Sequence, residues 1–283
     1  MKKFKNLALL MALAMGLTFT SCSKDTANVV DEEQEALAPV GIPQDAFEKA
    51  QSLHFNTFDM QKTMFEKPGG KMEEAYLLEG DIIMSHDQLM SMEIGDGITS
   101  KQYRTNNLVS PGVITIIGYT ANNSNGLSSK MQTALQWAVN NYNRLNLNIS
   151  FQLTFGTNWQ DKDMVVYQTN GSAGGSAGFP SGGNPYKFVQ LFSGLNSSIY
   201  DTNVVEHVTT HEIGHSVGFR HTDWFSRQSC GQNTNEGSAG VGAIHIPGTP
   251  TGYDASSIMV ACFSSSEDGE FNNNDITALN FLY

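Results

Sequence analysis

The stretch THEIGHSVGFRHTD, residues 210–223, holds three of the seven histidines of the chain, together with a glutamate and two glycines. His211 and His215 are four positions apart, so on a helix their side chains lie on one face about one turn apart. Gly218 can adopt the left-handed conformation that ends a helix, which would let His221 return towards the same point. Zinc binds three neutral imidazoles and keeps a fourth position for water when it is catalytic. The spacing therefore predicts a zinc site with the ligands His211, His215 and His221.

Glu212 supplies a group that could make such a site reactive. A carboxylate beside the metal can take a proton from zinc-bound water and later deliver it to a leaving amine. Zinc lowers the pKa of that water to about 7 and can polarise a substrate carbonyl. Such a site could cleave an amide without a nucleophile from the protein, so the pattern predicts Glu212 as the general base.

His207 offers a second register, because it lies on the same helix face one turn before His211. Three ligands from one straight helix do not converge well on a tetrahedral ion, so His207 is interpreted as a partly buried or surface helix residue. His245 and Cys230 are the nearest candidates for a fourth protein ligand, which would close the site as a structural zinc. Asp223 is expected to cap the turn or to bond its neighbours Arg220 or His221.

The helix that carries the histidines is predicted over about 203–217, after a mixed succession of strands and helices. Strands are predicted in GVITIIGY, ISFQLTFG, DMVVYQTN and YKFVQLF, and helices in QDAFEKAQSLHF and SSKMQTALQWAVNNYNRL. The Gly/Ser segment GSAGGSAGFPSGGNP interrupts this succession, and no internal repeat is present. The layout indicates an α+β fold.

The formal net charge of −12 opposes binding to phosphate backbones and anionic lipid surfaces, so no nucleic acid partner is expected. A hydrophobic content of 40% is ordinary for a soluble globular protein of this length. A monomer is expected.

The run HEIGHSVGFRH resembles the metzincin clan of zinc endopeptidases, and more particularly the bacterial HEIGH metallopeptidases. The resemblance covers about residues 109–283. It implies His211, His215 and His221 as zinc ligands, Glu212 as general base, and protein or peptide substrates. It also implies a twisted mixed sheet with an active-site helix and a small C-terminal subdomain.

Several further features belong to this resemblance. Met259 in SSIMVA matches the methionine turn beneath the metal, and Asp275 begins a closing helix. An edge strand from about residue 174 to 180 would pair with an extended substrate, although a flexible loop is an equally open interpretation. Some metzincins carry a tyrosine two residues after the turn methionine, where this chain has Ala261; Tyr253 is nearby in sequence only.

The segment LLEGDIIMS resembles the pro-segment motif of astacin-type metzincins, in which a Gly-Asp carboxylate occupies the zinc. The resemblance implies that Asp81 blocks the metal until cleavage within SKQYRTNNLVSPG removes the pro-segment. An ordinary Gly-Asp turn before a strand is the alternative.

The N-terminal residues have the layout of a bacterial secretory signal, with three lysines followed by an apolar run. LTFTSC resembles a lipoprotein signal, so we expect a signal peptide over 1–21 and a lipid anchor on Cys22; free secretion is the alternative. Either way the protein would lie in the bacterial cell envelope or outside the cell, touching a membrane only through the anchor. Cys230 and Cys262 are then an even pair in an oxidising compartment, which favours a disulfide over two buried thiols.

The expected organisation is a signal peptide (1–21), a flexible tether (22–43), a pro-segment (44–104) and a metzincin-like protease domain (105–283). The expected activity is that of a secreted or surface-anchored zinc metalloendopeptidase. Two competing hypotheses are a zinc hydrolase of other amides or esters, and a surface lipoprotein that binds peptides or glycans around a structural zinc.

Overall fold

The computed structural model of this chain describes residues 37–92, 103–232, 244–250 and 252–283. The predicted signal peptide, Cys22 and most of the tether lie outside the described residues, as do the first residues of the predicted activation segment. Across the described ranges, no helix is long and apolar enough to span a bilayer. Residues 37–283 form one compact unit.

The N-terminal part, residues 37–92, is a small antiparallel sheet flanked by two helices. Its elements are α1 (Gln44–Ser52), β1 (Gln61–Glu66), β2 (Met72–Leu78), β3 (Ile82–Met84) and α2 (His86–Ser91). The strands pair in the order β1-β2-β3, and the turn between β2 and β3 is Glu79-Gly80-Asp81. Glu79 and Gly80 both have positive φ angles, 53° and 88°, so this turn is tight. The alternative of a Gly-Asp turn before a strand therefore describes the local backbone correctly.

The C-terminal part, residues 103–283, contains the predicted strands and helices. Its elements are β4 (Tyr103–Arg104), β5 (Gly112–Tyr119), α3 (Ser129–Asn143), β6 (Ile149–Gly156), β7 (Met164–Thr169), β8 (Gly175–Ser176), β9 (Phe188–Phe192), α4 (Thr202–Ser216), β10 (Ile244–His245) and α5 (Asn273–Leu282). The result is a mixed α+β fold, as the sequence predicts.

The main sheet has five strands in the order β6-β5-β7-β9-β8. The first four run parallel, and β8 lies at the edge, antiparallel to β9. Of the stretch predicted as an edge strand over about 174–180, only Gly175–Ser176 form a strand, and it lies at the edge of the sheet. The sheet thus presents a two-residue edge strand on the side where α4 passes.

Helices α3 and α4 pack against each other on one face of this sheet. Ser128 caps α3 by accepting a hydrogen bond from the amide of Met131. Apolar side chains repeat along α3 at helical spacing and are buried, among them Met131, Leu135, Ala138, Val139 and Tyr142. Burial of this stripe fixes α3, and α3 in turn supports α4.

Candidate metal centre

Helix α4 is buried along most of its length. Its N-terminus is capped by Asp201, whose carboxylate accepts a hydrogen bond from the amide of Val204 at 3.1 Å. From Val204 to Ser216 every residue is buried, and the ring centroids of His211 and His215 lie 4.6 Å apart. The two imidazoles therefore occupy one face of a rigid element, as their spacing predicts.

Gly218 ends this helix and redirects the chain. Its φ angle is 109°, and a Cβ atom there would lie 3.0 Å from Leu108 and 3.2 Å from the carbonyl of Asn107. Strand β4 holds the returning chain, because the amide of Arg220 donates to the carbonyl of Tyr103 at 2.8 Å. His221 is thereby brought back to α4, fully buried.

The three imidazoles point their Nε2 atoms at one another. The Nε2 of His221 lies 3.2 Å from that of His215 and 3.3 Å from that of His211. Each Nδ1 has an acceptor instead: the carbonyl of Ile258 for His211, the carbonyl of Phe219 for His215, and a Glu79 carboxylate oxygen for His221. With the proton held on Nδ1, the Nε2 lone pairs face a common point, which is the tautomer and orientation of metal-ligating histidines.

Asp81 completes this group from the N-terminal part. Its Oδ2 lies 3.0 Å from the Nε2 of His221 and 3.4 Å from that of His211. The other oxygen is 3.9 Å from the Nε2 of His215 and is buried without a hydrogen-bond partner among the described residues. Three imidazole nitrogens and a carboxylate within 4.8 Å of one another are a donor set that fits zinc.

The pKa values of Asp81 and Glu212 are shifted in opposite directions. Burial alone would raise the pKa of Asp81. Without a bound metal, His221 can carry a second proton on Nε2, and its charge together with hydrogen bonds from His211 and His221 then holds the pKa of Asp81 well below its usual range. Burial, and then the Asp81 charge, raise the pKa of Glu212 well above its ordinary value. Asp81 is therefore the ionised carboxylate of the pair.

Glu212 lies at the wall of a cavity of about 570 Å³ that also borders His211 and Asp81. Its Oε2 is buried without a partner among the described residues. A Cβ on Gly175 would come within 2.7 Å of Glu212 Oε1 and of the Gln190 carbonyl oxygen. Only glycine therefore fits this position of β8 while Glu212 keeps its place beside the histidines.

Met259 packs directly beneath the histidine helix. A Cβ on Gly214 would lie 2.6 Å from the Met259 sulfur, so the absent side chain creates the space for the methionine. The preceding residue, Ile258, supplies the carbonyl that receives His211 Nδ1. The structure thus brings the predicted methionine turn under the site.

Asp275 has a role that its sequence position does not reveal. It lies in the first turn of α5, as expected, but its carboxylate also accepts hydrogen bonds from Ser257 Oγ at 2.6 Å and the Ile258 amide at 3.0 Å. Burial raises the pKa of Asp275 to about 6. This buried carboxylate positions the turn that holds His211.

Asp223 bonds neither Arg220 nor His221, so that part of the expectation is wrong, whereas its carboxylate does accept a backbone amide of the following turn. Asp223 Oδ2 accepts from the amide and hydroxyl of Ser229, and Oδ1 accepts from the Ala261 amide at 2.9 Å. The side chain therefore ties the loop after the third histidine to the methionine turn, because both segments offer donors there and Arg220 points away. A disulfide between Cys230 and Cys262 joins the same two segments.

The expectation of a partly buried or surface position for His207 is wrong: the side chain is buried, because α4 is enclosed along most of its length, and it borders the cavity. Burial and the nearby His211 lower the pKa of His207 to about 4, and its Nε2 has no partner among the described residues. It lies outside the group of four candidate ligands, as does His245, which contacts Thr249. Cys230 is held in the disulfide.

Glu79 and Arg220 form a buried ion pair that the sequence analysis missed. Glu79 Oε1 lies 2.7 Å from Arg220 Nη2, and the other oxygen accepts from His221 Nδ1 at 3.0 Å. Burial would raise the pKa of Glu79, but the charges and hydrogen bonds of Arg220 and His221 lower it to about 2. The two residues of this ion pair are 141 positions apart in the chain, so no local sequence pattern could reveal the contact.

A family model described as Dual-action HEIGH metallo-peptidase matches residues 76–283 of this chain. The match begins within β2 and so includes Glu79 and Asp81 as well as the histidines. Two solved structures of myroilysin are similar to the chain. One is 14% identical over 62% of this chain and 81% of that chain, with a TM-score of 0.39; the other is 15% identical over 60% and 83%, with a TM-score of 0.36. A comparison with curated proteins finds no match.

Proposed function

We propose, from the premise that this chain belongs to the dual-action HEIGH metallo-peptidase family and is a zinc-dependent metallopeptidase, that it is a latent endopeptidase. His211, His215 and His221 would hold the zinc, and Asp81 would block it in the precursor. The observation that supports this most is the convergence of three imidazole Nε2 atoms on the Asp81 carboxylate.

Different residues of the chain would have different roles in peptide hydrolysis. Zinc, when bound, activates a water molecule and polarises the substrate carbonyl. Glu212 takes a proton from the attacking water on a carboxylate oxygen and delivers it to the nitrogen of the leaving amine. Met259 and Asp275 are positioning residues that do not touch the substrate. They hold the turn in which the Ile258 carbonyl orients the His211 imidazole.

The edge strand β8 is the proposed docking line for an extended peptide. The Ile83 amide donates to the Ala177 carbonyl at 2.8 Å, and the Ala177 amide donates to the Asp81 carbonyl at 3.1 Å. The start of β3 thus already bonds the chain at Ala177, directly after β8, with Asp81 at the histidines. A peptide that replaces it would use the same backbone groups, which is recognition by strand addition.

Activation would require a cut on the N-terminal side of Tyr103. Tyr103 is buried, pairs with His245, and its carbonyl receives the Arg220 amide beside the third histidine. A cut after β4 would detach this support, so we place the activation cleavage before it. N-terminal sequencing of the matured protein locates the cut, and a new N-terminus beyond residue 104 would contradict this placement.

The general-base role is tested by cleavage of an unfolded protein by matured wild type and Glu212→Ala, with zinc content measured in both. We expect the variant to retain zinc and to lose activity by about 10²–10⁴-fold, the usual contribution of general acid–base catalysis. Glu270→Ala, at an exposed surface carboxylate, is the matched control and should cleave normally. Cleavage by Glu212→Ala at the wild-type rate would refute the role.

Latency is tested with Asp81→Ala in the uncut full-length chain. We expect zinc-dependent cleavage to rise above that of the wild-type precursor, because the carboxylate no longer occupies the histidine cluster. Asp87→Ala changes an exposed carboxylate in α2 of the same part and serves as control. A variant precursor as inactive as wild type sinks the assignment of Asp81.

We also propose export and anchoring through Cys22 in a bacterial cell envelope, which rests on the sequence of residues 1–22 alone. Fractionation of cells that express wild type or Cys22→Ala would test it. Wild type should partition with membranes and the variant should not; equal partitioning would leave free secretion as the better interpretation.

A further inference from the structure

Arg220 is a buried cation whose guanidinium is held from the N-terminal part. Nη1 donates to the Leu53 carbonyl at 3.0 Å, and Nη2 donates to the His54 carbonyl at 2.9 Å and to Glu79 at 2.7 Å. Its Nε has no partner among the described residues. The C-terminal part therefore provides the cation, and the N-terminal part provides its counter-charge and acceptors.

An aromatic side chain of the C-terminal part fixes where this guanidinium lies. The Arg220 Cζ atom is 5.4 Å from the ring centroid of Trp224 and 4.4 Å from that of Phe55. Trp224 packs edge-to-face on the buried Tyr103 at 5.3 Å. If the proposed activation removed Phe55 with the N-terminal part, Trp224 would remain beside Arg220 as a cation–π partner.

His221 completes a pair of donors for one carboxylate. Glu79 receives Arg220 Nη2 on one oxygen and His221 Nδ1 on the other, at 2.7 and 3.0 Å. Both donors belong to adjacent residues of the C-terminal part, immediately beside the metal centre. A planar guanidinium with a second donor at this spacing matches the two oxygens of a carboxylate.

A second arginine repeats the arrangement. Arg227 Nη1 lies 3.7 Å from a carboxylate oxygen of Asp59, which is also in the N-terminal part, and Arg227 borders the cavity at the histidines. Removal of the N-terminal part would take away Glu79, Asp81 and Asp59 together. In a chain of net charge −12, it would leave Arg227 at the cavity and Arg220 behind the vacated position of Glu79 without those partners.

We propose that Arg220 and His221 Nδ1 form a carboxylate-binding subsite that selects peptides with an acidic side chain close to the scissile bond. Glu79 occupies this subsite in the precursor, and Arg227 adds a second positive charge on the same cleft. The inference rests on the proposed function, since it names the substrate class of the same site.

The first test measures kcat/KM of the matured protein, obtained by cleavage of the full-length chain, on sets of peptides that differ only by Glu, Gln or Lys at one position. Positions on both sides of the cleaved bond are scanned. We expect Glu to exceed Gln by tenfold or more at one position and Lys to be cleaved least there. In Arg220→Met the Glu/Gln ratio should fall towards one, whereas Arg144→Met, which removes a half-exposed surface cation, should keep it.

The outcomes separate the two proposals. Equal cleavage of Glu and Gln peptides at every position overturns the subsite and leaves the peptidase intact. A zinc-loaded matured protein that cleaves no peptide overturns the proposed function. The proposed preference for acidic peptides is then overturned as well. A Glu preference that Arg220→Met retains in full assigns the selection to another group and overturns the role of Arg220.

A second test needs no activity and no change at Arg220. In the full-length Glu79→Ala precursor the subsite is vacated, so acetate should bind there and raise the Tm by a few degrees over chloride at equal ionic strength. Wild type, whose subsite is filled, and Glu66→Ala, at another carboxylate of the same part, should show no acetate-specific rise. An equal response of Glu79→Ala to acetate and chloride would contradict a carboxylate subsite.

Discussion

The histidines of the centre are supported from two different parts of the molecule. His211 and His215 donate their Nδ1 protons to the carbonyls of Ile258 and Phe219, in the C-terminal part. His221 donates to Glu79, in the N-terminal part. Two of the three imidazoles are thus oriented by backbone that stays, and the third by a carboxylate that the proposed activation removes. We call the support from the C-terminal part the permanent side of the centre, and the support that the proposed activation would remove the provisional side.

The largest effect should come from breaking the permanent side at its disulfide. Replacing both Cys230 and Cys262 by serine removes the cross-link between two positions 32 residues apart. This should lower the free energy of unfolding by about 3–4 kcal/mol. Urea unfolding of the full-length chain measures it. Wild type treated with a reductant should lose the same amount, and an unchanged midpoint would show that Asp223 alone holds these loops.

Removal of the Asp275 carboxylate tests the permanent side at the turn that supports His211. Asp275→Ala leaves Ser257 and two backbone amides without their acceptor, at a cost of about 1–3 kcal/mol, and should loosen zinc binding through Ile258 and His211. Asp268→Ala, at an exposed loop carboxylate, is the control. Unaltered stability and zinc affinity in Asp275→Ala would remove this turn from the permanent support.

The provisional side is tested by Glu79→Gln, which keeps an acceptor but removes the charge beside His221. We expect zinc affinity in the uncut chain to fall about tenfold, the lower end for a lost partner of a metal-bound histidine. Competition with a chelator measures it, and Glu66→Gln is the control in the same part. If both variants bind zinc like wild type, the support of His221 does not depend on the Glu79 charge.

The smallest effect concerns Asp254, which holds the start of α5 on the permanent side. Burial opposes ionisation, but hydrogen bonds from Asn274, Asn272 and Ser256 lower the pKa of Asp254 below its ordinary 3.8. Its stabilisation is therefore present above about pH 4 and is lost as the pH falls further.

We expect Asp254→Asn to be less stable than wild type at pH 7 by under about 1 kcal/mol, because the site is solvent-screened. The two proteins should converge near pH 3, as followed by denaturant titrations at several pH values. A difference that persists unchanged to pH 3 would show that the charge is not its cause.

Much of the C-terminal part follows from local patterns. The alternation in GVITIIGY, the apolar spacing along α3 and the Ser128 cap all depend on residues within one or two turns, and each element lies where these patterns predict. Partners of buried polar groups do not follow in this way. Asp223 was assigned to its neighbours in sequence, yet it bonds Ala261, 38 positions away, because packing brings that amide to it.

Local patterns are sufficient to predict the histidine centre, since an i, i+4 pair, a glycine with a left-handed backbone and a third histidine are all set by short-range geometry. The same run places the Glu212 carboxylate beside them. The residues that face the centre from the N-terminal part, in contrast, are known only from the packing of the folded chain. The meeting of Asp81 with the histidines and of Glu79 with Arg220 spans about 140 residues. Such pairs form because burial forces each charge to find a partner wherever the packed chain provides one.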